Sequence, residues 1–522
     1  MPPPSFSSQS SFQVHAPRGT VALLKEATQA VYAHLQKGSD GGAAWTALQA
    51  LLADLHLDTD MSDPEWIHAP EPERSGACES IAERLHVDLI DMHGGADAAC
   101  MLRVVEQAAI LLGPGRLIAH WAQALVFPAL SQSHALSYAD VARAHRLCVY
   151  MMLSVPLEVY DGVQDTHAYR RDVSPASDAA LAFTQSVFML YAEGPVPGRH
   201  PALASLDTIL SMYSETRPTP FLHHVALTLS PTCTHLLHAL ILFLQRHTMH
   251  TYRITSTCLL EELLALLVTL DDATVLEEGI KCLVMILPHV PYWLSRSEPN
   301  KLPALFRLYA HVVTVFVHAN EHVRLLFSTV YGLFPGVFLW FLRAPDACLA
   351  HLGDSVPWDE NDTLPLQRGS DIYLEHHLVH PQLAKHEPAS DEPAGRMWQH
   401  SDPADLLAMC QRLYVPTTSI PDRDVPLPMA DESGDVRLRS EWRFELYMRE
   451  QLLMHIGCLH RDRIAGTAEE EQQQQLQDTN RMLRTQLQTL QAHMERQRAE
   501  VQAANARHMQ WESELTTKLN TY

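Results

Sequence analysis

The sequence predicts an all-α fold: a HEAT-like α-solenoid body followed by a C-terminal coiled-coil helix. Three observations predict it. Apolar residues recur at three- and four-residue spacing through most of the chain, the period of helices that bury one face. No stretch alternates apolar and polar residues between hairpin turns, as strands would. From Glu469 onward there is no Pro and no Gly, and an apolar seam follows a heptad.

Residues 1–18, rich in Pro, Ser and Gln, are expected to be disordered. The solenoid is expected over 19–344. Its first stripes are Val21, Leu24, Ala27, Val31 and Leu35, then Leu48, Leu51, Leu52 and Leu55. Val104, Val105, Ala108, Leu111 and Leu112 follow, ended by Gly113-Pro114. Leu236 to Leu244 and Leu259 to Leu270 make the next two helices, with Asp271-Asp272 as a stop or as a cap for the successor. Leu276 to Leu287 is stopped by Pro288 and Pro291, and Leu302 to Val317 and Leu325 to Leu342 complete the set. Helices of about 12–18 residues divided by Pro, Gly or Asp suit stacked helical pairs. No crisp repeat consensus is present, so an irregular helical domain stays open beside the HEAT-like reading.

Leu325 to Leu342 holds no charge and has the length of a membrane span. Gly332, Pro335 and Gly336 interrupt it, and proline removes a helical donor and clashes with the preceding turn. Two short buried helices around a turn are expected there. Residues 345–414 are acidic and Pro-rich, with ordered pieces at Ile372–His380 and Asp402–Tyr414, and 415–440 reads as a linker.

The coiled coil is expected over 441–522. With Leu476 at d, the a positions are Asn480, Leu487, Met494, Val501, His508 and Leu515. The d positions include Leu483, Leu490, Gln497, Ala504 and Trp511. The interface is therefore assigned to Leu476, Asn480, Leu483, Leu487, Leu490, Met494, Val501 and Leu515. A buried amide at an a position accepts few pairings, which gives Asn480 the role of setting register.

Asp and Glu exceed Lys and Arg by 61 to 38, a formal net charge of -23. Phosphate neutralisation needs clustered cations, so no nucleic acid is expected as a partner. The nine cysteines form no C-x-x-C pair, and MPPPSFSSQSSF lacks the apolar core of a secretion signal. A reducing, cytoplasmic compartment is expected.

The chemistry sought in the sequence is mostly not there. No phosphate-binding Gly-rich loop, nucleophile elbow or dinucleotide-binding glycine triplet occurs. His318, Glu321 and His322 match the H-x-x-E-H pattern of inverted zinc peptidases, in which two histidines on one helix face bind Zn²⁺ and the glutamate acts as base. With 31 histidines in the chain, a chance match is the stronger reading. The same holds for His235 with His238 and His376 with His380. No enzyme, cofactor or metal is expected. Tyr331, Phe334, Phe338, Trp340 and Phe341 are expected to be packed core.

Val330 to Arg343 resembles a signature of the hamartin family: a tyrosine-glycine pair (Tyr331, Gly332), then Phe334 and Pro335, leading into a short aromatic helix with Phe338 and Phe341 that ends at Arg343. Ile372–Leu383 (IYLEHHLVHPQL) looks like the family's segment ending in His-Pro-Glu-Leu, with Gln382 in place of the acidic residue. Ile280–Leu294 is also similar. Phe444–Ile464 (FELYMREQLLMHIGCLHRDRI) resembles the start of the family's coiled coil, and Asn480–Leu490 the coil itself. The stretch before the coil is shorter than in the animal proteins. The resemblance implies a non-catalytic scaffold subunit of the tuberous sclerosis complex. Such a subunit holds and stabilises a tuberin-like GTPase-activating partner acting on the small GTPase Rheb, which restrains target-of-rapamycin signalling. It also implies self-association through the coil and peripheral phosphoinositide contact at lysosomal or vacuolar membranes. A generic solenoid and coiled-coil adaptor is the alternative.

Overall fold

The computed structural model describes residues 18–37, 41–55, 57, 76–94, 96–131, 136–157, 160, 175–194, 203–231, 234–296, 300–316, 318–379, 398, 401–415 and 432–520. The expected disorder of 1–17, most of the expected linker and the His-Pro-Gln-Leu end of 372–383 lie outside them. The described chain is helical, with no strand longer than an isolated bridge between His377 and Tyr414.

Two compact units divide the chain, Met1–Arg449 and Glu450–Tyr522. In the first, helices stack in two layers. One layer runs Tyr138–Leu153, Leu203–Thr216, Thr234–Arg246, Ala273–Ile286, Glu321–Leu333, Pro403–Arg412, each packed on the next. The other runs Pro175–Glu193, Pro218–Thr228, Leu259–Val268, Leu302–Val315, Thr363–Leu374 in the same manner. Stacking of like on like in both layers is the mark of a helical-pair solenoid, and the expected HEAT-like body is this arrangement.

The stops and caps read from sequence act as expected. Gly113 ends the Ala98–Leu112 helix at φ 80°, a conformation that suits glycine. Asp272 caps Ala273–Ile286 by accepting from the Thr274 amide, so it belongs to the successor helix. Asp402 caps Pro403–Arg412 through the Ala404 amide. The uncharged stretch folds as two helices, Glu321–Leu333 and Pro335–Arg343, bent by 118° at Phe334. No single helix among the described residues is long and apolar enough to cross a membrane.

Two irregular elements carry no sequence warning. Leu117–Val126 is a π-helix, and Thr248–Ser256 is a nine-residue 3₁₀-helix, longer than such turns usually run. The last helix also differs from expectation. It spans Glu432–Asn520, beginning inside the stretch expected as linker. The compact units part at 449/450, because Phe444, Tyr447 and Met448 are buried in the body.

Candidate partner-binding surfaces

The second unit consists of the helix from Glu450 onward. At 1.5 Å per residue, its course to Asn520 measures about 105 Å. Gln, Glu, Arg, Leu and Ala dominate it, all good helix formers. Its seam is open: Leu483 is 51% exposed, Leu487 58%, Leu490 60%, Met494 54% and Val501 59%. Leu476 and Leu515 are exposed as well, and so is Asn480. Such a row of large apolar side chains in water is the feature that a second helix removes by knobs-into-holes packing. Near the far end His508 lies 3.4 Å from Glu512 and meets the Trp511 ring, so polar and aromatic groups interrupt the seam before Leu515.

A second surface lies within the body, where the first turns of the same helix are seated. Glu441 reaches Lys281 at 2.5 Å and His322 at 3.4 Å. The Phe444 ring meets His322 edge-on at 5.8 Å. The Tyr447 hydroxyl donates to the Met285 carbonyl at 3.2 Å and stands 3.4 Å from His289 Nε2. Met448 contacts Gln411. Lys281 is fully buried and is also held by Glu278 of its own helix at 3.0 Å, with His238 Nε2 3.5 Å from that carboxylate. Hydrogen bonds from His322 and Lys281 outweigh desolvation and hold the Glu441 carboxyl down at about 2.

These residues were not singled out from sequence as a site. Two signals were present. Glu441, Phe444, Tyr447 and Met448 share one helix face, and Lys281 is a lone cation within the apolar run Ile280–Ile286, where a buried charge requires a partner.

The family-like motif is packing throughout. Tyr331 donates to the Leu378 carbonyl at 3.0 Å. Phe334 ends one helix, starts the next and meets Trp398 at 5.1 Å. Pro335 occupies the first turn of its helix, where no amide bond is lost. Phe338 contacts Phe306, Tyr309 and Phe327, and Phe341 stacks on Phe306 at 5.0 Å. Arg343 Nε donates to the Leu339 carbonyl, tying off the helix end. Tyr331, Phe334, Phe338 and Phe341 are buried, as the core reading expects.

The zinc-peptidase geometry is corrected by the helix boundary. The helix starts at Glu321, and Asn320 caps it by accepting from the His322 and Val323 amides. His318 is exposed in the bend before that cap, so His318 and His322 do not share a helix face. Glu321 pairs with Arg324, and His322 faces Glu441. Among the described residues no group of three or more His, Cys, Asp or Glu could hold a metal ion. His235 lies edge-on to Tyr191, and His380 lies outside the described residues.

Stacked helical pairs, followed by a long helix with an open apolar seam, define the class: an α-solenoid protein with a C-terminal helix. Residues 208–424 of this chain match the family model "Hamartin, N-terminal domain", and the chain is similar to proteins of that name. It is 38% identical over 82 residues to the tuberous sclerosis 1 protein homolog of Schizosaccharomyces pombe, covering 16% of this chain and 9% of that protein. It is 24% identical over 275 residues to hamartin of Mus musculus, covering 47% of this chain and 22% of that protein. These matches span about a fifth or less of the relatives' length. A solved TSC1 N-terminal domain shares the fold at TM-score 0.50 and 17% identity, covering 76% of this chain and all of that one.

Proposed function

We propose that this chain is a non-catalytic scaffold of the hamartin type. Its coil pairs with a second copy and, through the same helix, holds a tuberin-like GTPase-activating protein. The observation that carries this reading is the exposed seam from Leu476 to Leu515, which offers apolar area and no reactive group. A partner that binds only the folded form is stabilised by mass action, and so is the coil. The body supplies stacked helical surfaces for docking. In this reading the GTPase chemistry on Rheb belongs to the partner, target-of-rapamycin signalling is restrained, and the assembly sits peripherally at lysosomal or vacuolar membranes through phosphoinositide contact.

The test is affinity purification of the tagged full chain from native extract, with mass spectrometry of what comes with it. A tuberin-like protein present with the wild type and lost with Leu487→Pro supports the reading. Its absence from the wild-type eluate, or its retention by the proline variant, defeats it.

A further inference from the structure

The seat of the first helical turns combines a buried cation with an unequal pair of carboxylates. Lys281 is fully buried, so its ammonium must keep a counter-charge. Glu278, one turn back on the same helix, stands 3.0 Å away and is carried by the body rather than by the C-terminal helix. Glu441 arrives at 2.5 Å from another element and has a side chain 39% exposed to water. The cation therefore has an ion-pair partner in two arrangements, shared between two carboxylates or held by Glu278. This is the requirement for a two-state element.

The other groups facing Glu441 fit the same account. His322 approaches it from Glu321–Leu333, and His238 lies behind Glu278 from Thr234–Arg246. The apolar attachment rests mainly on Phe444, Tyr447 and Met448. Trp442, next to Glu441, is 67% exposed, so water reaches the outer side of this turn. Within 441–448 the buried side chains are Phe444, Tyr447 and Met448, and Glu278 offers the deepest charge a partner on its own helix. Few buried contacts and a retained counter-charge are what local opening requires.

We propose that residues 441–448 form a reversible latch on the body, with Glu441 as its bolt and Lys281 as the keeper. In the closed state the last helix begins on the body. In the open state Lys281 reverts to Glu278, and the Glu441, Phe444 and Tyr447 face becomes available. This inference does not depend on which partner the coil binds.

Hydrogen exchange of the full-length chain, read by mass spectrometry, tests it. In the wild type, amides of 441–448 should exchange at least tenfold faster than those of Ala273–Ile286, since they open without global unfolding. Glu441→Gln should speed 441–448 by a further tenfold or more and leave Ala273–Ile286 protected. Lys281→Met should speed 441–448 similarly, and the double variant should be no faster than the faster single one, because both remove one contact. If Lys281→Met fails to fold, Glu441→Lys, which sets two cations together, should release 441–448 at least as fully as Glu441→Gln. Equal exchange of 441–448 and Ala273–Ile286 in the wild type, no change in Glu441→Gln or Glu441→Lys, additive effects in the double variant, or loss of protection across the body in Glu441→Gln would each overturn the latch.

Discussion

Gly332 and Cys410 hold two helices at a distance that only glycine permits. A Cβ on Gly332 would stand 2.4 Å from Cys410 Sγ and 2.9 Å from Cys410 Cα. Cys410 is itself fully buried, its thiol pushed up to about 12 by desolvation and its sulfur directed at the Thr329 carbonyl. Gly332→Ala should therefore lower stability by about 1–3 kcal/mol, the range for overpacked cores. Truncating the cysteine cannot relieve the clash, because its Cα and Cβ, both 2.9 Å away, remain in alanine. Denaturant unfolding of Gly332→Ala and of Gly332→Ala/Cys410→Ala reads this directly. Recovery of full stability in the double variant would contradict it.

The coil prediction follows from the open seam. Leu487 sits mid-seam and is 58% exposed, so it contributes little to a single helix and much to a pair. Leu487→Pro removes a helical amide and clashes with the preceding turn, a disturbance of about 3 kcal/mol or more. Light scattering should show loss of self-association while the body's unfolding transition is unchanged. An unaltered oligomeric mass would show that the chain pairs elsewhere.

The zinc pattern makes a separable prediction. The purified chain should hold no stoichiometric zinc, and Glu321→Gln should change only its pairing with Arg324, an exposed ion pair worth about 0–1 kcal/mol. Elemental analysis after dialysis against trace zinc, for both proteins, decides it. One zinc per chain in the wild type would restore the hydrolase reading.

Much of the solenoid was legible because its determinants are local. The Leu259–Val268 and Ala273–Ile286 helices show their apolar faces at 3.6-residue period, and Asp272 marks the break between them. The bend at Phe334 follows from Pro335, whose ring forbids a continuous helix. What was not legible depends on distant neighbours. Glu441 and Lys281 are 160 positions apart, and nothing local shows that they meet. The H-x-x-E-H spacing, the weaker reading in the sequence, forms no shared helix face for a local reason: Asn320 within it is a better cap than a helical residue, so the helix begins after His318. The π-helix at Leu117–Val126 has no simple signature in residue type.

The body's acid sensitivity should be set by histidines buried in neutral form. Burial, with a smaller push from neighbouring His223, lowers His224 to about 3. His224 is fully buried, stacks on Phe188 and accepts or shares the Tyr160 hydroxyl at Nε2 over 2.8 Å. His289 is lowered to about 4 by burial, against the opposing pull of Asp402. A base whose folded pKa lies below its ordinary 6.5 binds its proton first in the unfolded chain. Its contribution to stability is thus intact above pH 6.5 and falls away as pH drops towards 3 for His224 and 4 for His289. Over that window a fully neutral buried histidine adds a slope of about 1.4 kcal/mol per pH unit. Urea unfolding at intervals from pH 7.5 to 4.5 should show stability declining below 6.5, and His224→Phe should reduce that slope by roughly one such histidine. The comparison is of slopes, so a constant packing offset in the variant does not affect it. Parallel pH profiles for wild type and variant would place the acid sensitivity elsewhere.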